Sequence, residues 1–109
     1  MKRTALYLAV ASLIVAASAA LADDANANWE KSCQKCHGAD GKGDTKIGKK
    51  MEIKDLTDAK YQASFTDEQA AKAIKEGIKD GDKTRMKGSE TLSDDEIKAL
   101  VAKVRAFKS

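Results

Sequence analysis

The polarity of this chain changes abruptly after residue 22. From Ala5 to Ala22 it is apolar but for Tyr7, Ser12 and Ser18; Lys2 and Arg3 precede the run, and Ala20-Leu21-Ala22 ends it with the small-x-small pattern that a signal peptidase cuts. The expectation is a signal peptide over 1–22 that is cleaved, and one domain over 23–109. The competing reading is a retained anchor, but the strongly apolar part, Leu6 to Val15, is short for spanning a bilayer.

Beyond residue 23 the apolar positions fall at helical spacings. Asp23 and Asp24 can cap a first helix over about 25–32, on which Trp29 lies one turn before Cys33. Phe65-Thr66-Asp67-Glu68-Gln69 supplies a hydrophobic residue, an N-cap, an acidic first turn and a reciprocal capping glutamine. It predicts a helix to about Lys79, with Ala70, Ile74 and Ile78 on the inner face and Asp80-Gly81 closing it. Leu92-Ser93-Asp94-Asp95-Glu96-Ile97 repeats the signature, and Ile97, Leu100, Val101, Val104 and Phe107 form one stripe that should pack against the first helix. The stretches between read as loop. Gly38, Gly41 and Gly43 open one that runs irregularly to Ser64, and Ile47, Met51, Ile53, Leu56 and Tyr61 within it need an apolar surface to cover. No run of β-branched residues suggests a sheet, so the fold class read here is all-α.

Composition narrows the partners. Cleavage after Ala22 would remove Lys2 and Arg3 from 20 basic residues and none of the 17 acidic ones, leaving a nearly neutral domain unsuited to nucleic acid. One Trp and two Phe are a poor supply for a domain core, which a buried prosthetic group would supplement.

That group is named by Cys33-Gln34-Lys35-Cys36-His37, the attachment sequence for a c-type haem: two thiols for the porphyrin vinyl groups and an imidazole for the iron. Three other readings compete. A thioredoxin-like pair would sit at a strand-to-helix turn in a sheet. Zinc would need ligands beyond two cysteines and a single histidine. A plain disulfide, possible in an exported protein, leaves His37 unexplained. Because His37 is the only histidine, ligation by two histidines is excluded, and a thioether is the next natural partner for iron. Met51 stands near Ile53 and Leu56, where methionine commonly fills space, whereas Met86 stands in a polar loop with no apolar neighbour before Leu92.

With these residues in view the chain resembles the class I c-type cytochromes, in particular the small single-haem bacterial and c6-like electron carriers. The resemblance spans Asp23 to Ser109 and rests on the haem motif with the glycine-rich stretch behind it, on Met86-Lys87-Gly88, and on the capped last helix. It implies three to five helices wrapped around one covalently attached haem c, crossing terminal helices, and His37 and Met86 as the axial iron ligands. It also implies an electron carrier rather than an enzyme, meeting redox protein partners in the periplasm as a monomer, with no membrane insertion after cleavage. A peroxidase-like or gas-binding haem protein is the alternative if Met86 does not ligate. The chain departs from the family in having no proline after the haem motif, which leaves a backbone carbonyl near Gly48 to orient His37, and in using Ala25, Trp29 and Lys103 where terminal helices usually meet through a glycine and an aromatic pair.

Overall fold

The computed structural model describes residues 24–109, so the signal over 1–22 and the cap at Asp23 lie outside the described residues. Helix α1 covers 24–32 and is followed by the short α2 (Gln34–His37), α3 (Lys46–Lys50) and α4 (Ala59–Ala63). Then come α5 (Asp67–Glu76), a two-stranded antiparallel hairpin of β1 (Gly77–Asp80) and β2 (Lys83–Lys87), and α6 (Asp94–Ala106). Among the described residues no helix is long and apolar enough to cross a membrane.

The two strongest local signals act as the sequence dictates. Thr66 and Gln69 close a reciprocal capping box on α5, and Ser93 and Glu96 close another on α6, each satisfying amide donors that the first turn leaves free. The stretch read as irregular holds α3 and α4, each started by an N-cap: the Thr45 hydroxyl accepts from the Gly48 amide and the Asp58 carboxylate from the Lys60 amide.

The all-α expectation is corrected by the hairpin. Helix α5 stops at Glu76 because Gly77 takes φ 84°, a conformation that ends the helix and favours glycine, so Ile78 leaves the inner face and lies 44% exposed on β1. Ile78 pairs with Met86, and a register shift follows between Ile78 and Lys79.

Helices α1 and α6 meet through one apolar cluster. Ala25, Trp29, Ile97, Leu100 and Val101 are buried in it with Leu56 and Ile74, and among the described residues Leu100 is the one large side chain fully enclosed, so the core is small. Trp29 lies 5.0 Å from Phe107, centroid to centroid, with the Lys103 ammonium 5.9 and 5.3 Å from the two rings. Polar ties flank the contact: Asn28 donates to Glu96 at 3.1 Å and Lys103 to Asn26 at 2.8 Å.

A second junction fixes α4 to α6. The amide nitrogen of buried Gln62 donates to the carbonyls of Leu56 and Val104 at 2.7 and 2.8 Å. Arg105 answers with bonds to the Gln62 carbonyl and side-chain oxygens, to the Phe65 carbonyl at 2.7 Å and to Asp67 at 2.7 Å. A buried amide with every partner supplied stabilises the corner that an unsatisfied one would weaken.

The cap on α6 makes a pH prediction. Bonds from the Ser93 backbone and the Asn28 side chain hold the Glu96 carboxyl below its ordinary value of 4.5. A depressed folded value contributes stability that is present above the unfolded pKa and lost as pH falls through the folded one. Glu96→Gln should therefore lower stability at neutral pH and flatten the acid limb below about pH 4.5, so that variant and parent converge in acid, as measured by denaturant unfolding across pH.

Candidate haem site

The haem motif is held by winding that barely interrupts the helix before it. The Cys33 amide donates to Trp29 at 2.9 Å and the His37 amide to Cys33 at 3.0 Å, so α1 and α2 form one bent rod with a turn at Cys33. Gly38 ends it at φ 82°. Two bonds then fix the end of the rod: the Trp29 indole N–H donates to the Gly38 carbonyl at 2.9 Å, and the Thr45 hydroxyl donates to the Cys36 carbonyl at 2.9 Å. Helix α3 lies close against the motif at Gly48, where a Cβ would stand 2.4 Å from the Cys36 carbonyl oxygen.

The rod forms one wall of a cleft with two joined chambers of about 310 and 400 Å³, a size suited to a substantial ligand. Cys33, His37, Leu56, Tyr61, Ile74, Ile78, Met86 and Leu100 line both. Cys36 lines the first chamber together with Glu52, Lys54, Arg85 and Lys87, while Trp29, Phe65 and Val104 line the second. The structure thus brings Cys33, Cys36, His37 and Met86 to one cavity from the turn before α2, α2 itself and β2. Met51, at the end of α3, lines neither chamber.

Burial sets the electrostatics of the ligand set. It lowers the His37 pKa below its ordinary value, which favours the neutral imidazole that binds metals. Burial, and next the neighbouring Cys36, raises the Cys33 thiol. Both cysteines are free. The His37 ring lies 5.6 Å from Trp29, and its buried Nδ1 has no hydrogen-bond partner among the described residues. No carbonyl near Gly48 accepts from it; the Gly48 carbonyl accepts from the Ile53 amide at 2.9 Å. Two thiols and a neutral, unpartnered imidazole on one wall of an apolar cleft fit a covalently held haem.

Met86 stands on a strand where a loop was expected, and backbone crowding puts it there. A Cβ on Gly77 would meet the Met86 carbonyl oxygen at 2.5 Å and the Gly88 nitrogen at 2.7 Å, and one on Gly88 would meet the Glu76 carbonyl carbon at 2.5 Å. The two glycines form the neck of the hairpin, and the Ser89 amide donates to the Ile74 carbonyl at 3.0 Å just beyond it. Sequence reading missed this neck and the bond from Arg85 to the Met51 carbonyl at 3.1 Å. Glycines 77 and 88 were the available signal for the neck; nothing local marked Arg85.

Known proteins resemble this chain over most of its length. The family model described as "Cytochrome C oxidase, cbb3-type, subunit III" matches residues 20–102. A solved structure of the KustC0563 c-type cytochrome is 34% identical, covers 77% of this chain and 96% of its own, and superposes with a TM-score of 0.68. A tyrosine-to-phenylalanine mutant of Kustc0563 is 35% identical over 78% of this chain and 99% of its own, with a TM-score of 0.67. No curated protein matches. Fold and site together define a small single-haem class I c-type cytochrome, whose cofactor is covalently bound haem c. The chain belongs to the family of the cbb3-type cytochrome c oxidase subunit III.

The neck is directly testable. Gly88→Ala introduces a methyl group against backbone atoms that have no side-chain freedom to yield, so it should lower the unfolding free energy of the haem-loaded protein by about 1–3 kcal/mol. Unchanged denaturant midpoint and slope would mean the neck relaxes without cost.

Proposed function

We propose that this protein is an exported electron carrier of the periplasm, passing one electron at a time between protein partners, with His37 and Met86 as the axial ligands of its haem. The observation that carries the reading is that Cys33, His37 and Met86 line both chambers of one apolar cleft, whereas Met51 lines neither. When bound, the haem supplies a reversible one-electron couple. The chain's own residues do the rest. Cys33 and Cys36 would hold the porphyrin, and the neutral imidazole of His37 would bind the iron from the rod side. The Met86 thioether would complete the coordination from the hairpin, favouring the reduced state and leaving no open position for oxygen or peroxide. Leu56, Ile74 and Leu100 keep water from the interior of the cleft, which supports a positive potential.

Met86→Ala should abolish the sulfur-to-iron charge-transfer band of the ferric protein, lower the potential and open the iron to carbon monoxide, while Met51→Leu should leave all three nearly unchanged. Absorption spectra and a redox titration check this; loss of the band in Met51→Leu alone would reassign the ligand. An unaltered Met86→Ala would favour a gas-binding or peroxidase-like site.

Partner recognition follows from charge at the cleft. Lys54, Arg85 and Lys87 line the first chamber beside Glu52, giving that rim a positive balance suited to an acidic surface on a redox partner. Transfer rates to such a partner should fall as ionic strength rises. Rates independent of salt would mean that the rim does not steer the encounter.

A further inference from the structure

The hairpin that carries Met86 is the least embedded element around the cleft. Asp80, Lys83, Thr84 and Arg85 are exposed, and so is Ile78. Behind it, the glycine neck joins it to α5. Met86 packs against the core cluster, and across the cleft Arg85 Nη2 bonds to the carbonyl of Met51, at 3.1 Å and 34 positions away in sequence. That carbonyl sits at the end of α3 beside Glu52, which takes φ 56°, a left-handed conformation uncommon for a residue with a side chain. Met51 and Glu52 are held there by bonds of their own: the Met51 amide donates to Ile47 at 2.9 Å and the Glu52 amide to Lys49 at 3.3 Å. The acceptor is therefore fixed by α3, and the guanidinium reaches it from the strand residue next to Met86.

We propose that Arg85 is a positioning residue that clasps the hairpin across the cleft mouth and so governs how often the iron position facing Met86 becomes open to external ligands. The proposal rests on Met86 ligation for its effect at iron, but not for the clasp itself. An exposed element joined to the rest by few bonds opens locally without global unfolding. Removing one bond of ordinary strength raises the open population several-fold, since about 1.4 kcal/mol corresponds to tenfold and a hydrogen bond contributes about 1 kcal/mol. Two alternative roles for the side chain are separable from this one. As a rim charge alone, Arg85 would be equivalent to Lys83 on the same strand. As a purely structural contact, it would affect stability and leave ligand entry unchanged.

The test compares Arg85→Gln with Lys83→Gln in the haem-loaded protein, because both remove one positive charge from β2 and only the first removes the bond. Two quantities are read: amide hydrogen exchange over residues 77–87, and carbon monoxide binding to the ferrous protein. Arg85→Gln should speed both by about three- to tenfold relative to Lys83→Gln, and Arg85→Lys, which keeps a donor and the charge, should recover part of the effect. Equal exchange in the two glutamine variants would overturn the clasp. Faster exchange with unchanged carbon monoxide binding would overturn its control of the iron. Met86→Ala serves as the reference for the ligation reading: if it binds carbon monoxide no faster than the parent protein, that reading falls, and the exchange comparison still decides whether Arg85 holds the hairpin.

Discussion

The indole of Trp29 ties three parts of this protein together at one point. Its N–H bonds to the carbonyl that follows His37, its ring lies against the imidazole, and its other neighbour is Phe107 at the end of the chain. Buried to 3% exposure, it makes the orientation of the haem motif depend on the packing of α1 against α6. The dependence is stronger because the imidazole Nδ1 has no hydrogen-bond partner of its own among the described residues. Where a carbonyl would hold the ring by direction, aromatic contact holds it by shape.

The rest of the cleft follows from how few large apolar side chains the chain possesses. Leu56, Ile74 and Leu100 belong both to the small core and to the lining, so core and cleft share their largest aliphatic side chains. Polar groups near them are satisfied by long-range partners, as Gln62 and Arg105 illustrate. An orphaned amide at that corner would be costly in a core of this size. A porphyrin held against the same side chains would supply the apolar contact that the sequence lacks.

How much of this was legible depended on the range of the interaction. The haem motif and the starts of α5 and α6 are written in neighbouring residues, Cys33 to His37, Thr66 to Gln69 and Ser93 to Glu96, and were readable without tertiary knowledge. Helices α3 and α4 had N-caps at Thr45 and Asp58, but five residues are too few to establish a periodicity. The hairpin was hidden because its strands are charged and exposed, with no alternating apolar face, and because Gly77 and Gly88 act on each other across it. The ring of His37 was expected to meet a carbonyl near Gly48; the Gly48 carbonyl accepts from the Ile53 amide, a choice of donor that only the folded chain makes. Of the cleft-lining residues singled out in the sequence, those on the rod were plain from spacing, while the wall carrying Met86 was readable as a position and not as a shape.

The cleft draws its walls from both ends of the domain, with Cys33 on one side and Leu100 and Val104 on the other. This has a kinetic consequence. Capped helices such as α5 and α6 form locally in about a microsecond or less, but the cavity requires closure of nearly the whole chain, and that long-range step is the slow one. A polypeptide emerging amino end first exposes its two thiols and its imidazole well before α6 exists to shelter them. During that interval the motif is an accessible peptide, more open to attachment than in the folded protein, where both cysteines are half-buried. Docking of the last helix then encloses whatever has been joined to it.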